Sequence, residues 1–140
     1  MAVRSLSDDE VAVYDVLPPA LARRARLVRV PALPGGYSGM TLGRWILLRA
    51  EAAPTGTSAL VAHELVHVRQ WHEQGVARFL GRYLSDFGRG LARHHRWRAA
   101  YRDISFEVEA RAEAQAWSAR TSGSRPPPTG SPGQGGEALP

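Results

Sequence analysis

The spacing of apolar residues changes about a third of the way along the chain. Up to Glu51 they come in short runs cut by proline and glycine. Examples are VAVY before Pro18-Pro19, RLVRVPAL before Pro-Gly-Gly, and Trp45-Ile46-Leu47-Leu48 inside RWILLRAE. From Ser58 onward they recur every three or four residues, as in Phe79, Leu80, Tyr83, Leu84 and Phe87. The first pattern predicts short strands and turns, the second amphipathic helices. Strands first and helices after predict an α+β domain, with a small N-terminal antiparallel β layer followed by a helical region.

Local signals divide this into elements. Ser7 to Tyr14 reads as a short helix, with Ser7 as N-cap and Glu10 as its capping-box partner. Pro18-Pro19 stops it, and Leu21 to Arg26 adds a helical turn. RLVRVPAL reads as a strand, YSGMTLG as a loop, and Arg44 to Glu51 as the strongest strand. Ala-Pro-Thr-Gly-Thr breaks the chain before Ser58 caps a helix that runs to Gln74 and stops at Gly75. A second helical region starts at Val76, breaks at Gly88 and Gly90, and resumes to about Tyr101. A third helix follows Ser105 through FEVEARAEAQAWSAR. Residues 121–140, TSGSRPPPTGSPGQGGEALP, hold almost no large apolar side chain and read as a disordered Pro/Gly-rich tail. The folded domain is therefore expected in residues 1–120, as a single unit.

Composition narrows the chemistry. The absence of cysteine excludes disulfides, thiolate metal knuckles and cysteine nucleophiles. All 18 basic residues are arginine, giving a formal net charge of +5. They are spread from Arg4 to Arg125, which reads as a solvated surface rather than a polyanion-binding patch. A nucleic-acid reading would use Arg89, Arg93, His94, His95, Arg96, Arg98 and Arg102, with Trp97 and Tyr101 for stacking, and would leave HELVH unexplained. No apolar run approaches the ~18 residues that span a bilayer, and the N-terminus lacks the apolar core of a signal peptide. A cytoplasmic protein without a membrane partner is expected.

The stretch HELVH, His63 to His67, carries the chemistry. On a helix, positions i and i+4 share a face, so both imidazoles can address one ion. Glu64 can then reach a water on that ion and act as general base. With 5 His and 8 Glu in 140 residues, the expected number of chance H-E-x-x-H matches is about 0.01. Leu60, His63, His67 and Trp71 form one stripe, so the histidines fall on a face that should be buried. Two buried histidines beside a glutamate would be costly without an ion to pair them.

A zinc ion needs a third protein ligand and one open position. The extended pattern H-E-x-x-H-x-x-G-x-x-H fails, because Gln70 stands where glycine should turn the chain and Glu73 stands at the last histidine. His72 points off the motif face. SFEVEARAEAQAW offers Glu107, Glu109 and Glu113. Glu107 shares its face with Ala110, Ala114 and Trp117, a small and apolar stripe suited to packing on the motif helix. Glu109 lies with Glu113, Ala116 and Arg120 on a face that reads as solvated. Glu107 is the inward carboxylate, with Glu109 as the alternative.

HELVHVRQW followed some forty residues later by FEVEAR resembles the gluzincin clan of zinc metallopeptidases, most of all its small stand-alone members, the minigluzincins. The resemblance covers about Gly39 to Trp117. It implies one zinc held by His63, His67 and Glu107, with Glu64 as the catalytic residue and a peptide or protein as substrate. It also implies a strand at the cleft rim to which the substrate adds, and RWILLRAE is in the right place for it. Arg111 stands where some families have aspartate. The orienting of a motif histidine is then either unfilled or falls to Asp103 or Asp86. Tyr101, Arg102, His94 and His95 are candidates for steadying the oxyanion. PALPGGYSGMTLG is a flexible candidate for covering the site. With so little chain to wall a cleft, a latent or purely zinc-binding domain is the competing expectation.

Overall fold

The computed structural model describes residues 3–50 and 58–123 of the chain. The architecture is α+β. β1 (Val3–Ser5), α1 (Asp8–Val13), α2 (Pro19–Arg24), β2 (Arg26–Val30), β3 (Gly39–Leu42) and β4 (Trp45–Arg49) come first. They are followed by α3 (Ala59–Gln74), α4 (Val76–His94), α5 (Trp97–Arg102) and α6 (Ser105–Gly123).

The capping box is present at α1. Ser7 Oγ accepts from Glu10 N–H at 3.2 Å, and Glu10 Oε1 accepts from Ser7 N–H at 2.9 Å. Arg4 adds an ion pair to Glu10 at 2.7 Å. α3 starts and stops as expected, with Ser58 Oγ accepting from Val61 N–H and Gly75 ending it at φ 76°.

The four strands lie in the order β1-β2-β4-β3. The layer is mixed rather than antiparallel. β1–β2 and β3–β4 are antiparallel, but the central pair β2–β4 is parallel, with Leu27 beside Ile46. The connection from β2 crosses over to β3 before the chain returns through β4, and that fixes the parallel pairing. In β4 the apolar run divides between two faces: Ile46 and Leu48 are buried under the helices, while Trp45 points outward.

Two other sequence expectations change. YSGMTLG is not loop; Gly39–Leu42 is β3, which pairs with β4 through a hairpin. Gly43 sits at φ 62° in the two-residue connection, a position that favours glycine. RWILLRAE is consequently interior, and the sheet edge beside α3 is β3. The second change is in α4, which does not break at Gly88 and Gly90 but continues to His94. The break comes at His95, in the left-handed region at φ 55°. Gly90 serves packing instead: a Cβ there would lie 2.8 Å from Ala100 Cα. β1 was not expected, and α6 runs past the expected domain boundary at 120–121. The breaker at 53–57 and the remainder of the tail lie outside the described residues.

Two apolar clusters hold the layers together. The larger joins sheet, α1, α2, α3 and α6 through Tyr14, Ile46, Leu65, Val66, Ala110 and Trp117. Tyr14 and Trp117 stack at 5.1 Å, and Trp117 Nε1–H donates to the Val13 carbonyl. The smaller lies under α4, where Phe79, Ile104 and Phe106 meet Trp71, Tyr83, Phe87 and Tyr101. Among the described residues no helix is long and apolar enough to cross a membrane.

The glycines of α4 should separate in a denaturation experiment. A methyl group added at Gly81 or Gly88 would meet nothing within 4 Å, so alanine there should stabilise the protein by roughly 0.5–1 kcal/mol. Gly90→Ala should instead destabilise it by about 1–3 kcal/mol, because the Ala100 backbone cannot yield cheaply. Equal midpoints for all three variants would contradict this packing.

Candidate metal centre

The site forms where α3 lies along α6. Ala110 and Ala114 are buried at this contact and allow close approach. Arg69 of α3 fixes the register by bonding Glu113 and Glu109 of α6 and the Val16 carbonyl. The face expected to be solvated is exposed at Glu109, Ala116 and Arg120, and its glutamates also form this ion-paired clamp. Asp86 accepts from Ser105 N–H and so anchors the first turn of α6. Glu107, in that first turn, is turned inward and is only 3% exposed.

His63, His67 and Glu107 offer ligand atoms that all lie within 4.8 Å of one another. His63 Nε2 is 3.1 Å from Glu107 Oε2, and His67 Nε2 is 3.1 Å from Glu107 Oε1. A tetrahedral ion with bonds of ~2.0–2.1 Å would set its donors about 3.3 Å apart. The described structure therefore brings together the three ligands expected from sequence, while Glu109 belongs to the Arg69 clamp. The group could hold a metal ion.

The hydrogen bonds around His67 test that fit. Gln70 Nε2–H donates to the Phe106 carbonyl at 3.0 Å and to Glu109 Oε1 at 3.1 Å, which directs Gln70 Oε1 to the imidazole. His67 Nδ1–H donates to that oxygen at 2.7 Å. The remaining nitrogen, Nε2, is buried and makes no hydrogen bond, although Glu107 Oε1 is near. The two atoms stand 3.1 Å apart with no hydrogen bond between them. A cation there satisfies an orphaned nitrogen and a buried carboxylate together.

The electrostatics agree. Burial opposes the charge on Glu107, but the bond to His63 and the closeness of both imidazoles outweigh it and hold the carboxyl well below its usual range. Burial also opposes charge on His67, yet Glu107 beside it shifts the balance upward. Burial raises Glu64, with His67 and His63 partly offsetting it. Tyr83 and Tyr101 are driven well up by burial and then by the Glu107 charge, so both remain protonated. Tyr83 O–H lies 3.4 Å from Glu107 Oε1.

Glu64 is 4% exposed and ligates nothing in this group. Thr41 Oγ1–H donates to its Oε2 at 2.7 Å. Gly39 makes room for it: a Cβ at that residue would stand 2.8 Å from Glu64 Oε1. The glycine expected to lend mobility to a covering segment instead provides clearance for a carboxylate. Tyr37, from the same segment, packs on Tyr101 with ring centroids 4.5 Å apart.

Of the four candidates for an oxyanion donor, Tyr101 lines the cleft. His94 pairs with Asp103 at the end of α4, His95 is exposed, and Arg102 is exposed with its carbonyl bonded by Arg111. Asp86 and Asp103 are committed elsewhere, so neither orients a motif histidine; Gln70 does so for His67. That role left a trace in the sequence, a polar residue one helical turn from His67. Thr41 and Gly39 left none, being over twenty residues away.

Comparison with protein families, with curated proteins and with solved structures found no match to this chain.

Elemental analysis after loading with a divalent ion should give about one ion per chain. Binding should be lost in His67→Ala and Glu107→Ala, kept in Glu109→Ala, and weakened about 10–100-fold in Gln70→Ala. The pH sign follows from the two shifts. In metal-free protein, depressed Glu107 gives stability present above its unfolded pKa and lost as pH falls through its folded value. Raised His67 gives stability present below its unfolded pKa and lost as pH rises through its folded value. Metal must displace the His67 proton, so affinity should rise from about pH 6 to about pH 8 with proton release, measurable by titration calorimetry in two buffers. Affinity flat across that range would contradict the assignment.

Proposed function

We propose that the chain is a zinc-dependent metallopeptidase of the gluzincin type. The observation that carries this reading is Glu64: a buried carboxylate, not a ligand, held by Thr41 at the edge of a cleft beside the three donors. A purely structural ion site has no use for such a group, whereas hydrolysis needs a base there. Two imidazoles and one carboxylate suit zinc and leave it one position for water or substrate.

Zinc held by His63, His67 and Glu107 would supply Lewis acidity, acidifying a water and polarising the scissile carbonyl. The remaining work falls to the chain. Glu64 takes the proton from the attacking water and delivers it to the departing amine. Burial lifts its affinity for that proton above an ordinary carboxylate's, the direction a proton shuttle needs. Thr41 and Gly39 hold it in position. Gln70 keeps His67 in the Nδ1–H tautomer. Tyr101 retains its proton and can donate to negative charge developing on the substrate oxygen. Substrate addition, assigned from sequence to RWILLRAE, moves to β3, the edge strand next to Glu64.

Glu64→Gln should abolish peptide hydrolysis, by a factor of about 10³ or more, while zinc content stays at one per chain. Gly39→Ala should lower kcat through displaced Glu64 and also keep the metal. Cleavage by zinc-loaded Glu64→Gln at the native rate would refute the assignment. Zinc binding without cleavage by the native protein would favour a non-catalytic binding domain.

A further inference from the structure

The cleft has two arms that meet at Gly39, Tyr37, Glu64, Tyr101 and Glu107. One arm is a cavity of about 290 Å³ on the His67 side. Trp71, Phe79 and Phe87 form its interior, and Leu42, Leu80 and Leu84 stand around it. Those three leucines are 51%, 41% and 63% exposed, an unusual concentration of large apolar surface beside a polar site. The other arm, of about 350 Å³, lies on the His63 side and is bordered by Ser38, Arg111 and Gln115. Arg111 is half-buried and donates one bond to the Arg102 carbonyl. No carboxylate among the described residues lies within ion-pair distance of it. Among those residues it is a cation without a counter-ion, in a cleft whose other charged groups are carboxylates.

We propose, resting on the peptidase reading, that the substrate is bipartite: a large apolar residue on one side of the scissile bond and a carboxylate on the other. The apolar arm has the volume of roughly ten waters, enough for a leucine or phenylalanine side chain but not for a folded element. Filling it removes both that side chain and the rim leucines from water. The second arm pairs Arg111 with a carboxylate, either an Asp or Glu side chain or a free C-terminus. With β3 bonding the backbone between them, the two arms fix which bond meets Glu64. Arg111 is a specificity residue here; it does not touch the reacting atoms.

The test uses acetylated hexapeptides with Leu or Ser on one side of the central bond and Glu or Lys on the other. All combinations are made in both orders, with free or amidated C-termini. Cleavage is followed with zinc-loaded native protein. Binding is followed with zinc-loaded Glu64→Gln through the fluorescence of Trp71 and Trp97, which both line the apolar arm. Leu over Ser should improve kcat/KM and affinity about tenfold or more. Glu over Lys should add about three- to fivefold, an exposed pair being weak. Arg111→Glu should reverse the second preference and leave the first. Leu84→Arg should reduce the first and leave the second. A preference for the free over the amidated C-terminus, in place of the Glu preference, assigns the carboxylate to the C-terminus; a Glu preference that survives amidation assigns it to a side chain. Selective binding by Glu64→Gln without turnover by native protein would sustain the two-armed recognition of a peptide and overturn the peptidase reading. Cleavage without either preference, or with preferences unmoved in both variants, would overturn the inference and leave the peptidase reading standing. Neither binding nor cleavage of any peptide would overturn both.

Discussion

The site depends on the contact between α3 and α6. Two alanines, Ala110 and Ala114, bring the helices close enough for one carboxylate on α6 to face two imidazoles on α3. Larger side chains would part the helices and carry Glu107 out of reach. Arg69 then locks the sliding and turning that small residues alone would permit, through its bonds to Glu109 and Glu113. Burying Glu107 so completely would be costly by itself; His63 and His67 make it tolerable. Packing, clamp and donor set are one arrangement.

A second constraint comes from the sheet. β3 must lie close to α3 for Thr41 to reach Glu64, and only glycine at position 39 leaves the clearance. The same strand closes the sheet, so the edge available to an extended chain adjoins the buried carboxylate. That proximity follows from the strand order: the run richest in apolar residues, β4, is taken into the interior, and a weaker strand is left at the rim.

The sequence was most legible where donor chemistry and helical geometry coincide. HELVH on a capped helix, and Glu107 on the alanine face, follow from the 3.6-residue repeat, and the structure brings all three donors together. Capping at Ser7 and Ser58 was equally local and equally readable. Glycine was the main source of error, because its signal is ambiguous. Gly39 opens a genuine strand and Gly43 follows it, Gly88 lies within an unbroken helix, and Gly90 serves a neighbour in the following helix. Parallel pairing of β2 with β4, and the roles of Thr41 and Gly39, depend on which distant segments meet. No local pattern records that.

The donors also have a topological meaning. His63 and His67 lie on one side of a long excursion of the chain and Glu107 on the other; α4 and α5 are wholly contained between them. An ion bound by all three would act as a cross-link, closing a loop of some forty residues in the manner of a disulfide in a chain that has no cysteine. The looped segment carries Phe79, Leu80, Leu84 and Phe87, which line the apolar arm. The same ion would thereby also restrain the wall that shapes the cleft.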